Sequence, residues 1–286
     1  MSSGTKSTAI ASLAKSIVPQ FFRTRLHWSR LLTDCPNFNR SRLEATFETI
    51  CSRVDIGQIR DLYLQYSHAI DDDPACAAKY LDHQYWLRVN IVRAARLKLH
   101  DSAPKRILDL GCGPGWFLHV CRHFGHDAMG LDVPVESMTE IEKKVYASMA
   151  EVLCWHKKEL RIQPASPFNI KGTFDHITGF MVCFNNHRQE SEWSKEEWKT
   201  FVERVLTQLN AGGSLWLELN PNPPRYPRLI YYDPDTHEYF NSIGRVSRNV
   251  IHILKDSQQA SYPPDRKNRT STSRRPYPSK SDFPRH

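Results

Sequence analysis

An open α/β fold, with a doubly wound and mostly parallel sheet behind an N-terminal helical extension, is what this 286-residue sequence predicts. Three observations carry it. From Lys105 onward, short apolar runs alternate with segments of helical period; the first of those runs ends in a glycine cluster; and residues 1–78 show helical pattern without strands. Neighbouring parallel strands need crossover connections of a dozen residues or more, so alternation of this kind implies a parallel sheet with helices on its faces.

The elements follow in order. Residues 41–70 and 79–100 read as helices, separated by the acidic turn Asp71-Asp72-Asp73-Pro74; in the second, Tyr80, Leu81, Gln84, Trp86, Leu87, Ile91 and Leu97 broadly keep helical spacing. Arg106–Leu110 is the first strand, Trp116–Phe124 a helix, and Ala128–Asp132 the second strand. A helix over Glu136–Leu153 leads to a third strand near Leu160–Ile162. Phe174–Gly179 is the fourth strand, Glu196–Leu209 a helix, and Ser214–Leu219 the fifth strand, entered through the turn Ala211-Gly212-Gly213. Asp233–Ile243 reads as a helix ended by Gly244, with Val250–Leu254 as a late strand. After Lys255, five prolines and many Ser, Thr and Arg leave too little apolar surface to offset ordering entropy, so residues 256–286 are expected to be disordered. The expected organisation is an extension over 1–78, a main domain over 79–255 and a basic tail over 256–286.

Composition narrows the classes. A hydrophobic fraction of 40% with 13 Phe, 11 Tyr and 7 Trp suits a packed core and excludes collagenous or wholly disordered chains. No uncharged apolar run is long enough to span a bilayer. The net charge of +8 sits at the ends. Residues 1–33 hold five basic side chains and no acid, and residues 256–286 hold seven against three, which leaves −1 for residues 34–255. Seven widely spaced cysteines without a C-x-x-C argue against a disulfide framework or a Cys-rich zinc site and suit a reducing, cytoplasmic setting; no metal site is expected. The apolar run from Ala9 to Val18 is interrupted by Lys15, which weighs against a secretory signal and leaves peripheral membrane contact through a basic N-terminal helix as an alternative.

The chemistry concentrates in Asp109-Leu110-Gly111-Cys112-Gly113-Pro114-Gly115-Trp116, where the first strand turns into a helix and open α/β sheets bind nucleotides. Alternate glycines permit a sharp turn and let a ligand lie on bare peptide groups. Asp132 ends the second strand seventeen residues after Gly115, placed to accept hydrogen bonds from ribose hydroxyls. The spacing is G-x-G-x-G rather than the dinucleotide G-x-G-x-x-G. Asp109 nearby would oppose an anionic pyrophosphate and favour a cationic adenosine ligand.

The stretches Ile107–Gly115, Gly130-Leu131-Asp132-Val133, Phe174-Asp175-His176-Ile177-Thr178 and Leu209–Leu215 follow one another as in class I S-adenosylmethionine-dependent methyltransferases, which residues 79–254 resemble. The resemblance implies a Rossmann-like methyltransferase fold and S-adenosylmethionine as cofactor. It also implies binding roles for Asp109, Gly111, Cys112, Gly113 and Gly115 around the methionine moiety, Asp132 at the ribose, Val133 at the adenine, and Gly179 and Phe180 along the pocket. Tyr80 is a candidate for the methionine carboxylate. Where many relatives place an acid after strand three, this chain has Gln163-Pro164, and the usual last hairpin is either compressed into Gly244–Leu254 or partly absent.

His187, after the fourth strand, is the candidate general base should the acceptor be a hydroxyl, with Glu218 and Asn220 behind it. Tyr231-Tyr232, Trp193 and Trp198 are candidates for an aromatic wall, with helix packing the favoured reading of the two Trp. Cys112 reads as a small filler rather than a nucleophile. Asn222-Pro223-Pro224-Arg225 resembles the N-P-P-[YF] motif of amine methyltransferases but follows the fifth strand instead of the fourth, so it marks no site. The expected activity is methyl transfer to a small-molecule O, N or C nucleophile. A nucleic-acid methyltransferase using the basic tail, and a non-catalytic binding module on the same fold, are the alternatives. Oligomeric state is not legible.

Overall fold

In the computed structural model, which describes residues 32, 35, 37–72, 76–155, 157–165, 170–182, 193–220, 233–247 and 249–255, single polar side chains start most helices. Asn39 Oδ1 accepts from Arg42 N at 2.9 Å and opens α1 (Arg40–Cys51). Asp55 does the same for α2 (Ile56–Tyr66), which is followed by α3 (His68–Asp72). Asp82 caps α4 (His83–Arg96) through Tyr85 N. Such caps satisfy amides that the first helical turn leaves without a partner.

These caps also divide what periodicity alone runs together. The helix expected over 41–70 is three helices, restarted at Asp55 and after Ser67. The one expected over 79–100 begins as a separate 3-10 turn, Ala77–Leu81, and ends where Lys98 turns left-handed at φ 58°. The segment expected as helix from Glu136 makes a 3-10 turn at Val135–Ser137. Its α-helix, α6 (Glu140–Val152), starts only at the reciprocal capping pair Thr139 and Glu142.

Between these lie β1 (Arg106–Leu110), α5 (Trp116–His123) and β2 (Asp127–Asp132). Beyond α6 come β3 (Lys157–Glu159), β4 (Phe174–Val182), α7 (Lys195–Gln208), β5 (Leu209–Leu219), α8 (Pro234–Ile243), β6 (Arg245–Ser247) and β7 (Val250–Leu254). The seven strands form one sheet in the order β3-β2-β1-β4-β5-β7-β6. β3 to β5 run parallel, and the β6–β7 hairpin is antiparallel, β7 pairing with β5. The compressed last hairpin is thus present, as two short strands.

Three strands depart from the sequence reading, β4 by running three residues past Gly179 to Val182. β3 lies at Lys157–Glu159, paired with Gly130–Asp132, rather than at Leu160–Ile162. It is an edge strand, where charge is tolerated, and the apolar residues that follow it face the cleft described below. β5 starts at Leu209 and carries the glycine turn as an irregularity, since Phe174 pairs with Leu209 while His176 already pairs with Ser214. A Cβ on Gly213 would stand 2.9 Å from the carbonyls of Asn210 and Asp175, so no larger residue fits that crossing.

Each face of the sheet has its own apolar cluster. On one side Leu43, Phe47 and Ile50 of α1 join Leu87 and Ile91 of α4, Trp116 and Phe117 of α5, and Met149 of α6. On the other, Trp198, Phe201 and Val205 of α7 and Phe240 of α8 cover β4, β5 and β7. The N-terminal helices therefore share a core with the helices of the sheet. Arg88 of α4 reinforces the join, pairing with Glu44 at 2.7 Å and lying 3.5 Å over the Phe47 ring. Residues 1–31 and 256–286 lie outside the described residues, as do the signal-like run Ala9–Val18 and the basic tail.

Candidate active site

The strand ends place a cleft of about 890 Å³ at the carboxyl edge of the sheet, bounded by Gly111 and Gly113, Asp132 and Val133, Leu160–Ala165, Phe180–Val182, Trp193 and Asn220. A smaller recess of about 50 Å³ continues under the glycine loop, where Asn90, Arg93, Asp109, Phe117 and Phe180 meet.

The loop is anchored to the second strand. Gly111 N and Cys112 N both donate to Leu131 O, at 2.8 and 3.0 Å. Gly113 N donates to Asp132 Oδ2 at 2.7 Å and Val133 N to Oδ1 at 2.8 Å. Each Asp132 oxygen so holds one amide and keeps a further lone pair. Burial lifts the Asp132 carboxyl above its ordinary range, opposed by the Val133 amide, Lys157 and the Gly113 amide.

The glycines have different jobs. Gly111, Gly113 and Gly115 all have positive φ. Gly111 and Gly113 border the cleft, whereas Gly115 lies under the Trp155 ring, whose atoms come within 2.2 Å of the place a Cβ would take. Trp155 also donates to Pro114 O at 2.9 Å. Cys112 covers Gly130, with Sγ 2.4 Å from the position of a Cβ there, and burial drives its thiol well above the ordinary value, so it fills space as an unreactive group.

Asp109 is 2% exposed at the floor of the recess and accepts from Thr178 Oγ1 at 2.7 Å. Burial pushes its pKa up to about 7, with the Thr178 bond and Arg93 opposing. Arg93 is itself engaged: Nη2 and Nε bond Glu218 at 3.1 and 3.2 Å, Nη1 bonds Asn90 Oδ1 at 3.2 Å, and the guanidinium lies 4.5 Å over Phe180. Glu218 is thus held in an ion pair instead of standing free as a base.

Another edge of the cleft is made by the end of β4. Met181 adopts φ 57°, a left-handed conformation rare outside glycine, at a register shift between β4 and β5. The amide of Asn220 donates to its carbonyl. Phe180 packs edge-on to Phe117 at 4.6 Å. Gly179 lies inside the sheet, its Cβ position 3.1 Å from Leu217 Cδ2, and Met181 and Val182 border the cleft in its stead. Trp193 borders the cleft and meets Trp198 edge-on at 4.8 Å, Trp198 being buried in the α7 core. Tyr80, with Lys79, overhangs the loop from the 3-10 turn, its ring 4.8 Å from Trp86 and 6.3 Å from Tyr146. Gln163 and Pro164 also border the cleft. His187, Tyr231-Tyr232 and Asn222–Arg225 fall outside the described residues.

Arg93, Asn90, Trp86 and Tyr146 belong to the site without having been singled out from sequence. Asn90 and Arg93 do leave a trace, as polar side chains within an otherwise apolar helix face. Among the described residues no group of His, Cys, Asp and Glu is arranged to hold a metal ion.

A glycine loop thus faces an acidic strand end over a recess floored by the buried carboxyl of Asp109, where negative charge suits a cationic ligand better than an anionic one. A family model described as a methyltransferase domain matches residues 82–223. That match agrees with the resemblance of residues 79–254 to the class I S-adenosylmethionine-dependent methyltransferases. Solved structures similar to it include the S-adenosylmethionine-bound amino pentose methyltransferase CalS10 of Micromonospora echinaspora (24% identity, 47% of this chain and 50% of that one, TM-score 0.34). DesVI of Streptomyces venezuelae is 19% identical over 50% of this chain and 54% of that one, with TM-score 0.37. The 16S rRNA N2 G1207 methyltransferase RsmC of T. thermophilus is 18% identical over 59% and 42%, with TM-score 0.39. The chain spans about half the length of the structures it matches. No curated protein matches it in sequence.

Proposed function

We propose that the cleft binds S-adenosylmethionine and that the chain transfers its methyl group to a small-molecule nucleophile. The observation that carries this reading is the cleft itself. About 890 Å³ lies near the top of the ~300–1,000 Å³ usual for ligand sites, which leaves room for an acceptor beside the cofactor under the Tyr80 overhang.

In this reading Asp132 accepts from the ribose hydroxyls with its remaining lone pairs, Val133 and Gln163-Pro164 border the adenine, and Gly111 and Gly113 let the methionine end approach the backbone. Gly115 acts from behind, through the shape of the loop. Asp109 supplies negative charge under the cationic end, and Cys112 closes the floor. Bound there, the cofactor supplies an electrophilic methyl group. The chain's own residues then have to align the acceptor and keep water out, a task for Phe180, Met181, Trp193 and Asn220. His187 remains the candidate base for a hydroxyl acceptor.

We assign the transferase unit to residues 79–255 and place the protein in a cytoplasmic setting, which suits the free thiols of Cys51, Cys76, Cys112, Cys121 and Cys154. No described helix is long and apolar enough to cross a membrane. The test is transfer of labelled methyl from the cofactor into a cell extract, followed by separation into small molecules, protein and nucleic acid. Label in the small-molecule fraction supports the reading. Label confined to RNA or DNA overturns the acceptor class, and absence of any transfer overturns the activity.

A further inference from the structure

The overhang above the glycine loop is a short 3-10 segment, Ala77–Leu81, and such segments have poorer hydrogen-bond geometry than an α-helix. Here the Trp86 indole donates to Lys79 O at 2.8 Å and the Trp116 indole to Tyr80 O at 2.9 Å. Two successive carbonyls of the turn are thus tied by two indoles from different helices. Trp116 is the first residue of α5, directly after Gly115, and is 2% exposed; its tie therefore sets the height of Tyr80 relative to the loop below it. Ala77, Ala78 and Leu81 are buried, while Lys79 and Tyr80 border the cleft.

We propose that Trp116 and Trp86 are positioning residues for cofactor binding: their indole N–H groups hold the Lys79-Tyr80 turn as a preformed roof over the glycine loop. The proposal rests on the reading that the cleft takes the cofactor. Its physical basis is that a turn fixed before binding need not be ordered during it, so the gain is in affinity and residence time. A phenylalanine at either position keeps an aromatic ring and removes the donor.

The experiment measures binding of S-adenosylhomocysteine, the demethylated cofactor, by calorimetry and stopped-flow displacement. It uses the full chain and Trp116→Phe, Trp86→Phe, Tyr80→Ala and the two double variants that combine each Trp change with Tyr80→Ala. Each Trp→Phe change is expected to weaken binding about three- to tenfold, as loss of one hydrogen bond implies, mainly through faster dissociation. With Tyr80→Ala already present, the Trp changes are expected to cost little more, because a roof without its side chain has nothing to position. A merely structural role would lower affinity equally in both backgrounds, and that result, or unchanged affinity in both Trp variants, overturns the proposal. Should Trp116→Phe fail to fold, half-buried Trp86 decides by the same comparison. If the unaltered chain takes up no S-adenosylhomocysteine, the cofactor reading falls first and the roof with it; if it binds and the variants do not differ, only the roof falls.

Discussion

Asp109 and Asp132 are both buried carboxylates at strand ends, yet their surroundings give them different work. Asp132 holds two backbone amides, so Asp132→Ala should loosen the loop as well as remove the proposed ribose acceptor. Cofactor affinity is expected to fall tenfold or more by calorimetry, since hydrogen bonds to a charged group are worth about 1.5–3 kcal/mol. Asp109 has one neutral donor, and the arginine beside it is bound elsewhere. Its folded pKa of about 7 lies above the ordinary 3.8, so the folded state favours the protonated form. The stability it contributes is full below pH 3.8 and is lost as pH rises to about 7. A cationic ligand over it reverses the preference. Binding of S-adenosylmethionine should therefore tighten as pH rises through 7 and release a proton, measurable by calorimetry in buffers of different ionisation enthalpy, and Asp109→Asn should abolish that dependence. Gly115→Ala puts a methyl group into the Trp155 ring at φ 87°, and thermal unfolding should show a loss of roughly 1–3 kcal/mol or more.

At the scale of elements, the Arg93–Glu218 pair joins α4 to β5 beneath the cleft, with side chains 8% and 18% exposed. Glu218→Ala leaves a buried guanidinium without its partner and should cost about 3–5 kcal/mol in a denaturant melt; replacing both residues with apolar ones should cost far less. The elements also show what sequence reveals. β1, β2, β4 and β5 are apolar because both faces are covered, and they are legible as short runs. β3 borders the sheet, so its pairing residues are two lysines and a glutamate, and the apolar signal belongs to the cleft lining after them. The helix breaks at Asp55, Ser67 and Asp82 depend on capping geometry that apolar spacing does not encode. In the site, the loop, Asp132 and Phe180 were legible because they are local to strand ends. Arg93, Trp86 and Tyr146 reach it only through packing of helices distant in sequence.

For the whole molecule, one sheet with a covered cluster on each face leaves its cysteines in contrasting settings. Cys112 and Cys121 are buried, and burial drives both thiols well above the ordinary value, while Cys154 is exposed. With a chromogenic disulfide reagent, Cys154 should react first among the described cysteines, and Cys112 and Cys121 only at the rate of unfolding; mass mapping of the labelled chain checks the order. The outermost strands of the sheet have a consequence of their own. β3 and β6 are each three residues long, the first bearing Lys157, Lys158 and Glu159 and the second Arg245. A stray extended peptide seeking backbone partners finds at either border a docking line too short and too charged to extend, so these borders guard the protein against fibrillar stacking.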